Sequence, residues 1–142
     1  VVDHDPNVIA SLRDKKINAA YGDASNEEYV AEVLSGKEKM VISTIPDFDI
    51  NSNLLRAARA KYKNIIFIGV AHQIEEADGL YAQGADFVIM PHFLGGDFFE
   101  NLMSKCKLDK KKYKLASIPQ KIKLNERKKI GQQHPTLMDW FR

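Results

Sequence analysis

One cysteine, Cys106, stands in 142 residues. No disulfide can form within the chain and no thiolate cluster can hold a metal, so a reducing, cytosolic setting is the simplest expectation. No run approaches the ~18 apolar residues that span a bilayer, and no secretory leader pattern is visible. The four histidines, His4, His72, His92 and His134, share no metal-ligand spacing. No Ser/His/Asp arrangement, paired catalytic carboxylates or nucleophile elbow is present either. Neither a catalytic residue nor a metal site is expected.

What is there fits a soluble α/β domain: 44% hydrophobic and 28% charged residues, net charge +2. The charge is unevenly spread. Residues 1–104 hold nine Lys/Arg against sixteen Asp/Glu, whereas 105–142 hold twelve against three. An acidic body, 1–104, is therefore expected to precede a basic tail or linker, 105–142.

Along the body, strand and helix patterns alternate. Pro6 sits where a first helical turn tolerates it, and Val8, Ile9 and Leu12 follow at helical spacing, predicting a helix over 6–16. A strand over 17–21 leads into Gly22, Asp23 and Ala24. Ser25, with Glu28 three residues on, reads as a capping box for a helix to about 35. MVISTI (40–45) is an apolar strand expected to be covered on both faces. A helix over 51–62 should begin at capping residues Asn51 or Asn53 and turn Leu54, Leu55, Ala58 and Tyr62 inward. IIFIGV (65–70) is the fourth strand, a helix over 73–82 follows, and DFVIM (86–90) is the fifth strand, stopped by Pro91. A Gly95-Gly96 break should precede a last helix to about 105. Five alternations with short connections require a doubly wound parallel sheet of the Rossmann kind. Beyond 105 the rhythm fails, although Leu137, Met138, Trp140 and Phe141 form an apolar end expected to dock.

The opening VVDHDP places an acid, Asp3, at the tip of its strand, with Asp5 as the cap of the next helix. In dinucleotide-binding sheets an acid at the end of the second strand holds the adenosine ribose, and a glycine-rich turn after the first strand holds the phosphates. No G-x-G-x-x-G precedes Asp3. If Asp3 is the ribose residue, the visible chain starts at strand two, and the sheet is N-terminally truncated by one βα unit. In strand order 3-2-1-4-5-6 the remaining strands would then form a pair and a trio with a gap between them. Ser43 and Thr44 end the apolar strand, where open α/β sheets bind ligands. Asp23 is read equally as a ligand residue and as a turn former.

VVDHDP, YGDAS, MVISTIPDFDIN and GVAHQIEEADGLYAQGADFVIMPHFLGG, in this order, resemble the TrkA-N or RCK nucleotide-binding domains that regulate potassium transport. The resemblance is strongest to those at the cytosolic end of cation/proton antiporters, and it covers about 1–104. It implies a regulatory module at the cytoplasmic side of the cell membrane. Such a module works with the membrane transport domain of its own or a partner chain, binds NAD(H) or AMP/ATP, and acts as a homodimer. Position by position, it implies that Asp3 holds the ribose, that Asp23 and Ala24 line the adenine pocket, and that Ser43 and Thr44 face the ligand. PHFLGG (91–96) is either a subunit contact, as the resemblance implies, or an ordinary strand–helix connection.

Two other functions suit the same residues: the NAD-binding half of a dehydrogenase, and a dimerisation module without ligand. His72 and His92 follow strands and are read as turn residues that could sense pH near the crevice. The basic tail is a solvated linker, a dock for the acidic body, a contact for anionic lipid headgroups or a nucleic-acid arm. With only Tyr113 interleaved among its lysines and no accompanying motif, it is not expected to bind nucleic acid.

Overall fold

Among the described residues five short parallel strands, four of them built on Val or Ile, are each followed by a helix that begins at a capping side chain or a proline. A computed structural model of the chain describes residues 1–129. β1 (Val2–Asp3) leads to α1 (Pro6–Asp14), β2 (Ala20–Tyr21) to α2 (Glu27–Val33), and β3 (Met40–Ile42) to α3 (Phe48–Lys61). β4 (Ile66–Val70) leads to α4 (Ile74–Ala82), and β5 (Phe87–Ile89) to α5 (Pro91–Cys106), with α6 (Lys110–Lys129) after it. The chain divides into two compact units, Val1–Gly96 and a second from Asp97 onward.

The strands form a pair and a trio. β1 lies beside β2, with Val2 opposite Ala20 and Asp3 opposite Tyr21. β4 lies between β3 and β5, with Val41 opposite Phe67 and Gly69 opposite Val88, and every pairing is parallel. The division into a pair and a trio is the one expected from the sequence. The trio carries the core: Leu55, Ala58, Ile65, Phe67, Ala71, Ala77, Leu80 and Val88 are buried together, with Val30 and Leu34 beside them. The approach of α4 to α3 depends on Gly79, where a Cβ would come within 2.7 Å of the Phe48 ring.

Several local expectations are corrected. α2 is capped by Asn26, whose side chain accepts the Tyr29 N–H at 3.0 Å. Ser25 is instead held by Asp23, so its hydroxyl is spent before the helix begins. α3 starts three residues earlier than the hydrophobic spacing suggests, because Asp47 accepts the Ile50 N–H at 2.9 Å. Asn51 is then a buried interior residue rather than a cap, and Tyr62 is exposed at the helix end. β3 is not covered on both faces: Met40 and Ile42 are 45% and 56% exposed. Gly95 and Gly96 lie inside α5, because Pro91, with φ preset for the helix, opens it directly after β5. In the basic segment after 105, the described residues Lys110–Lys129 form α6. The apolar end at Leu137, Met138, Trp140 and Phe141 lies outside the described residues.

Candidate functional site

In an open parallel sheet the carboxyl ends of the strands and the loops that leave them form the natural crevice. Here the crevice widens into a cleft of about 920 Å³ between β1 and β3, running from Val1, Val2, Asp3 and His4 across to Met40–Ile42 and the residues that follow. Asp3, Asp23, Ala24, Ser43 and Thr44 all line it. Three separate strand ends thus bring these five positions to one cavity. Buried Val30 and Leu34 line it, as do the exposed apolar residues Val1, Val2, Tyr21, Met40 and Ile42.

Asp3 is held where β1 ends. Its Oδ1 accepts the Asp5 N–H at 2.8 Å and lies 3.8 Å from His4 Nδ1, and the side chain is 34% exposed. Asp5 itself caps α1 by accepting the Asn7 N–H at 2.8 Å. The two acids therefore divide the work: Asp5 starts the helix, and Asp3 stays at the cleft beside His4.

Asp23 stands at the exposed tip of β2. Its Oδ1 accepts both the backbone N–H and the hydroxyl of Ser25 at 2.8 Å. These two bonds, the backbone one first, hold its carboxyl below the usual carboxylate range. The aspartate thus shapes the turn and leaves Ala24 beside it in the cleft wall. Gly22 is buried behind it, because the Tyr29 ring occupies the space a Cβ would need, at 2.0 Å. The Tyr29 hydroxyl donates to the Tyr21 carbonyl at 3.1 Å, which ties α2 to the end of β2.

Ser43 extends the β3 ladder by one bond, its N–H donating to the Ile68 carbonyl at 2.8 Å. The residue is only 5% exposed, and its Oγ accepts the Ile45 N–H at 3.3 Å. A hydroxyl that accepts from the chain keeps its own proton to donate into the cleft. Thr44, next along, is exposed at the rim.

Two features of this neighbourhood escaped the reading of the sequence. Asn51, fully buried, donates from Nδ2 to the Ile45 carbonyl at 2.8 Å and to the Val70 carbonyl at 2.9 Å. It clamps the loop after β3 to the tip of β4. A polar residue four positions before inward Leu55 on the same helix was the signal that could have found it. Glu38 also lines the cleft, and its carboxylate accepts from the Ser35 hydroxyl at 2.7 Å and from the N–H groups of Ser35 and Gly36. The Ser35 hydroxyl is the largest cause that holds its carboxyl down to about 2, from an ordinary 4.5.

The depressed carboxyl gives a pH prediction for this turn. The contribution of Glu38 is fully present above about pH 4.5 and is lost as pH falls toward 2, because only the folded form resists protonation there. Acid titration followed by amide NMR of Ser35 and Gly36 should show that window, and Glu38→Gln should abolish it.

His72 and His92 meet edge-on with ring centroids 5.7 Å apart, but neither lines the cleft. Among the described residues no group of three or more metal-binding side chains converges. A shallow depression of about 340 Å³ lined by Leu55, Arg56, Arg59 and Gln83 lies toward the amino ends of β4 and β5. The Arg59 guanidinium in it is occupied by the Lys63, Ile65 and Gly84 carbonyls and by Asp86, so that arginine is structural.

Residues 1–91 match the family described as the TrkA-N domain. The chain belongs to the TrkA-N family. Its fold agrees with the crystal structure of the TrkA-N domain of inner membrane protein ybaL from Escherichia coli, at 27% identity and a TM-score of 0.66 over 72% of this chain and 76% of that one. The GsuK RCK domain is 25% identical with a TM-score of 0.59 and covers 75% of this chain and 23% of its own. The GsuK channel bound to NAD, 20% identical, shares the fold with a TM-score of 0.52 over 64% of this chain and 16% of its own. No curated protein matches the sequence.

Proposed function

We propose that this TrkA-N domain is a nucleotide-sensing regulatory module of a monovalent cation/proton antiporter or potassium transport protein, acting at the cytoplasmic side of the membrane. The observation that carries the reading is the convergence of Asp3, Asp23, Ala24, Ser43 and Thr44 on one cleft at the strand tips. An adenine nucleotide, NAD(H) or AMP/ATP, suits that lining. Asp3 would accept from the ribose hydroxyls, Ala24 and the apolar residues of the cleft would hold the adenine, and Ser43 and Thr44 would donate to the ligand's polar edge. The GsuK channel structure with NAD and the membrane origin of ybaL support it.

The phosphates call for backbone donors of a glycine-rich turn. Among the described residues β1 and β3 do not pair with each other, and a parallel strand set between them would fill the part of the cleft along Val1, Val2 and Met40–Ile42, leaving the ligand the strand tips at Asp3, Ala24, Ser43 and Thr44, where such a turn would meet it. Residues Phe98, Phe99 and Met103, all exposed in the second unit, suit a homodimer contact. Binding would then favour one dimer arrangement over another and pass that bias to the membrane part, with no chemistry of its own. A nucleotide shifts such an equilibrium only by its differential affinity for the two arrangements.

The test is isothermal titration of NAD, NADH, AMP and ATP into the 142-residue protein. Asp3→Ala should weaken the preferred nucleotide by about five- to 150-fold, the effect of about 1–3 kcal/mol for polar partners left unmatched. Unchanged affinity would remove Asp3 from the site, and turnover of hydride by the same protein would replace the sensor reading with a dehydrogenase.

A further inference from the structure

α6 carries nine Lys/Arg and one acid, Glu126, in twenty residues, and none of its side chains is buried. Three of its four exposed aliphatic residues nonetheless share a face, the fourth, Leu124, lying on the other side. At 3.6 residues per turn, Leu115, Ile118 and Ile122 share one stripe, while the half-buried residues Tyr113, Ala116 and Ser117 occupy the opposite side. The three stripe residues are 65%, 51% and 55% exposed. The same geometry puts Lys114 and Lys121 along one flank of the stripe and Lys112 and Lys123 along the other. Lys111 and Lys129 lie in line with it at either end.

We infer that this face of α6 docks on an anionic lipid bilayer. The charge is complementary to such a surface, and it is delivered almost wholly by lysine, a flexible point charge, rather than by the planar fork of arginine that fits defined carboxylate or phosphate sites. Lysine stems lie along apolar surface while their ammonium groups reach outward, so flanking lysines sit at the headgroup level when the central stripe enters the interface. Three apolar residues are too few for deep insertion. Attraction to anionic headgroups supplies most of the affinity, and the stripe keeps the helix parallel to the membrane. A nucleic-acid duplex would use the lysines and leave Leu115, Ile118 and Ile122 in water. The inference stands on the helix alone, so its failure and that of the nucleotide reading are separate results.

The experiment is co-sedimentation of the 142-residue protein with vesicles of phosphatidylcholine, alone or mixed with phosphatidylglycerol. Binding to the mixed vesicles only, lost at high salt, is expected. Each lysine near the surface is worth about fivefold, so K114Q with K121Q should weaken binding by about 25-fold. L115A, I118A and I122A together, which keep helix propensity, should weaken it at least about tenfold, with helicity by circular dichroism unchanged. Equal binding to neutral vesicles, or none to either, would overturn the proposal. So would stronger capture by double-stranded DNA that ignores the stripe variant, or a vesicle-free dimer that the stripe variant dissolves.

Discussion

Asn51→Asp is expected to destabilise the first unit by about 3 kcal/mol or more at pH 7, and by progressively less on acidification. The substitution is isosteric, so packing against the core does not change. What changes is the group that meets two carbonyl oxygens at 2.8 and 2.9 Å, those of Ile45 and Val70. Only a donor can answer both, and this is why the amide points its nitrogen at them. A carboxylate would set negative oxygen against both carbonyls in a fully buried site. Burial and the facing carbonyls would raise the folded pKa of the new aspartate above its unfolded value of about 4. For a raised folded pKa, folding suffers least below about pH 4, where both states are protonated. The penalty then grows by about 1.4 kcal/mol per pH unit until the folded pKa is passed. Urea denaturation of both proteins at a series of pH values would show that slope. A difference independent of pH would mean that the side chain does not face the two carbonyls. Ile45 lines the cleft, so the same variant should also weaken nucleotide binding at neutral pH.

Arg59→Met should cost about 2–4 kcal/mol, and Arg59→Lys should recover little of it. One guanidinium donates to three backbone carbonyls, Lys63, Ile65 and Gly84, and to the Asp86 carboxylate at 2.9 Å. Asp86 in turn accepts the Phe67 N–H at 2.7 Å. The arginine therefore knits the amino ends of β4 and β5 to the end of α3. A single ammonium cannot reach four acceptors that a planar fork meets at once. The side chain is 27% exposed, which places the loss below that of a wholly buried ion pair. None of these residues lines the cleft. Stability should fall in urea while nucleotide affinity per folded molecule, by titration calorimetry, does not change. A lysine variant as stable as wild type would show that charge alone matters here.

The two substitutions mark what reading the residues in order could and could not reach. Largely apolar runs at 40–45, 65–70 and 86–90, the first and last stopped by Pro46 and Pro91, announce strands, and the structure places β3, β4 and β5 inside them. The alternation with helices then leaves a parallel sheet as the only economical arrangement, and the strands divide into a pair and a trio as expected. Caps were harder. Ser25, Asn26 and Asp23 compete within four residues, and each can accept from a free backbone N–H, so the winner depends on which donors the fold leaves unpaired. Gly95 and Gly96 misled for a similar reason. Their helical cost of about 1 kcal/mol each is set against a helix already started by Pro91, and a local rule cannot weigh that sum.

The sequence by itself determined the alternation, the parallel class of the sheet and the acid at the tip of its first strand, because periodicity and end signals are local and survive in one dimension. Only the tertiary structure decided that Asn51 joins two strand ends, that Glu38 faces the cleft and that Leu115, Ile118 and Ile122 remain open to water. Those facts depend on which carbonyls, donors and apolar surfaces are brought within a few ångströms by elements far apart in the chain, and spacing along the chain carries no record of them.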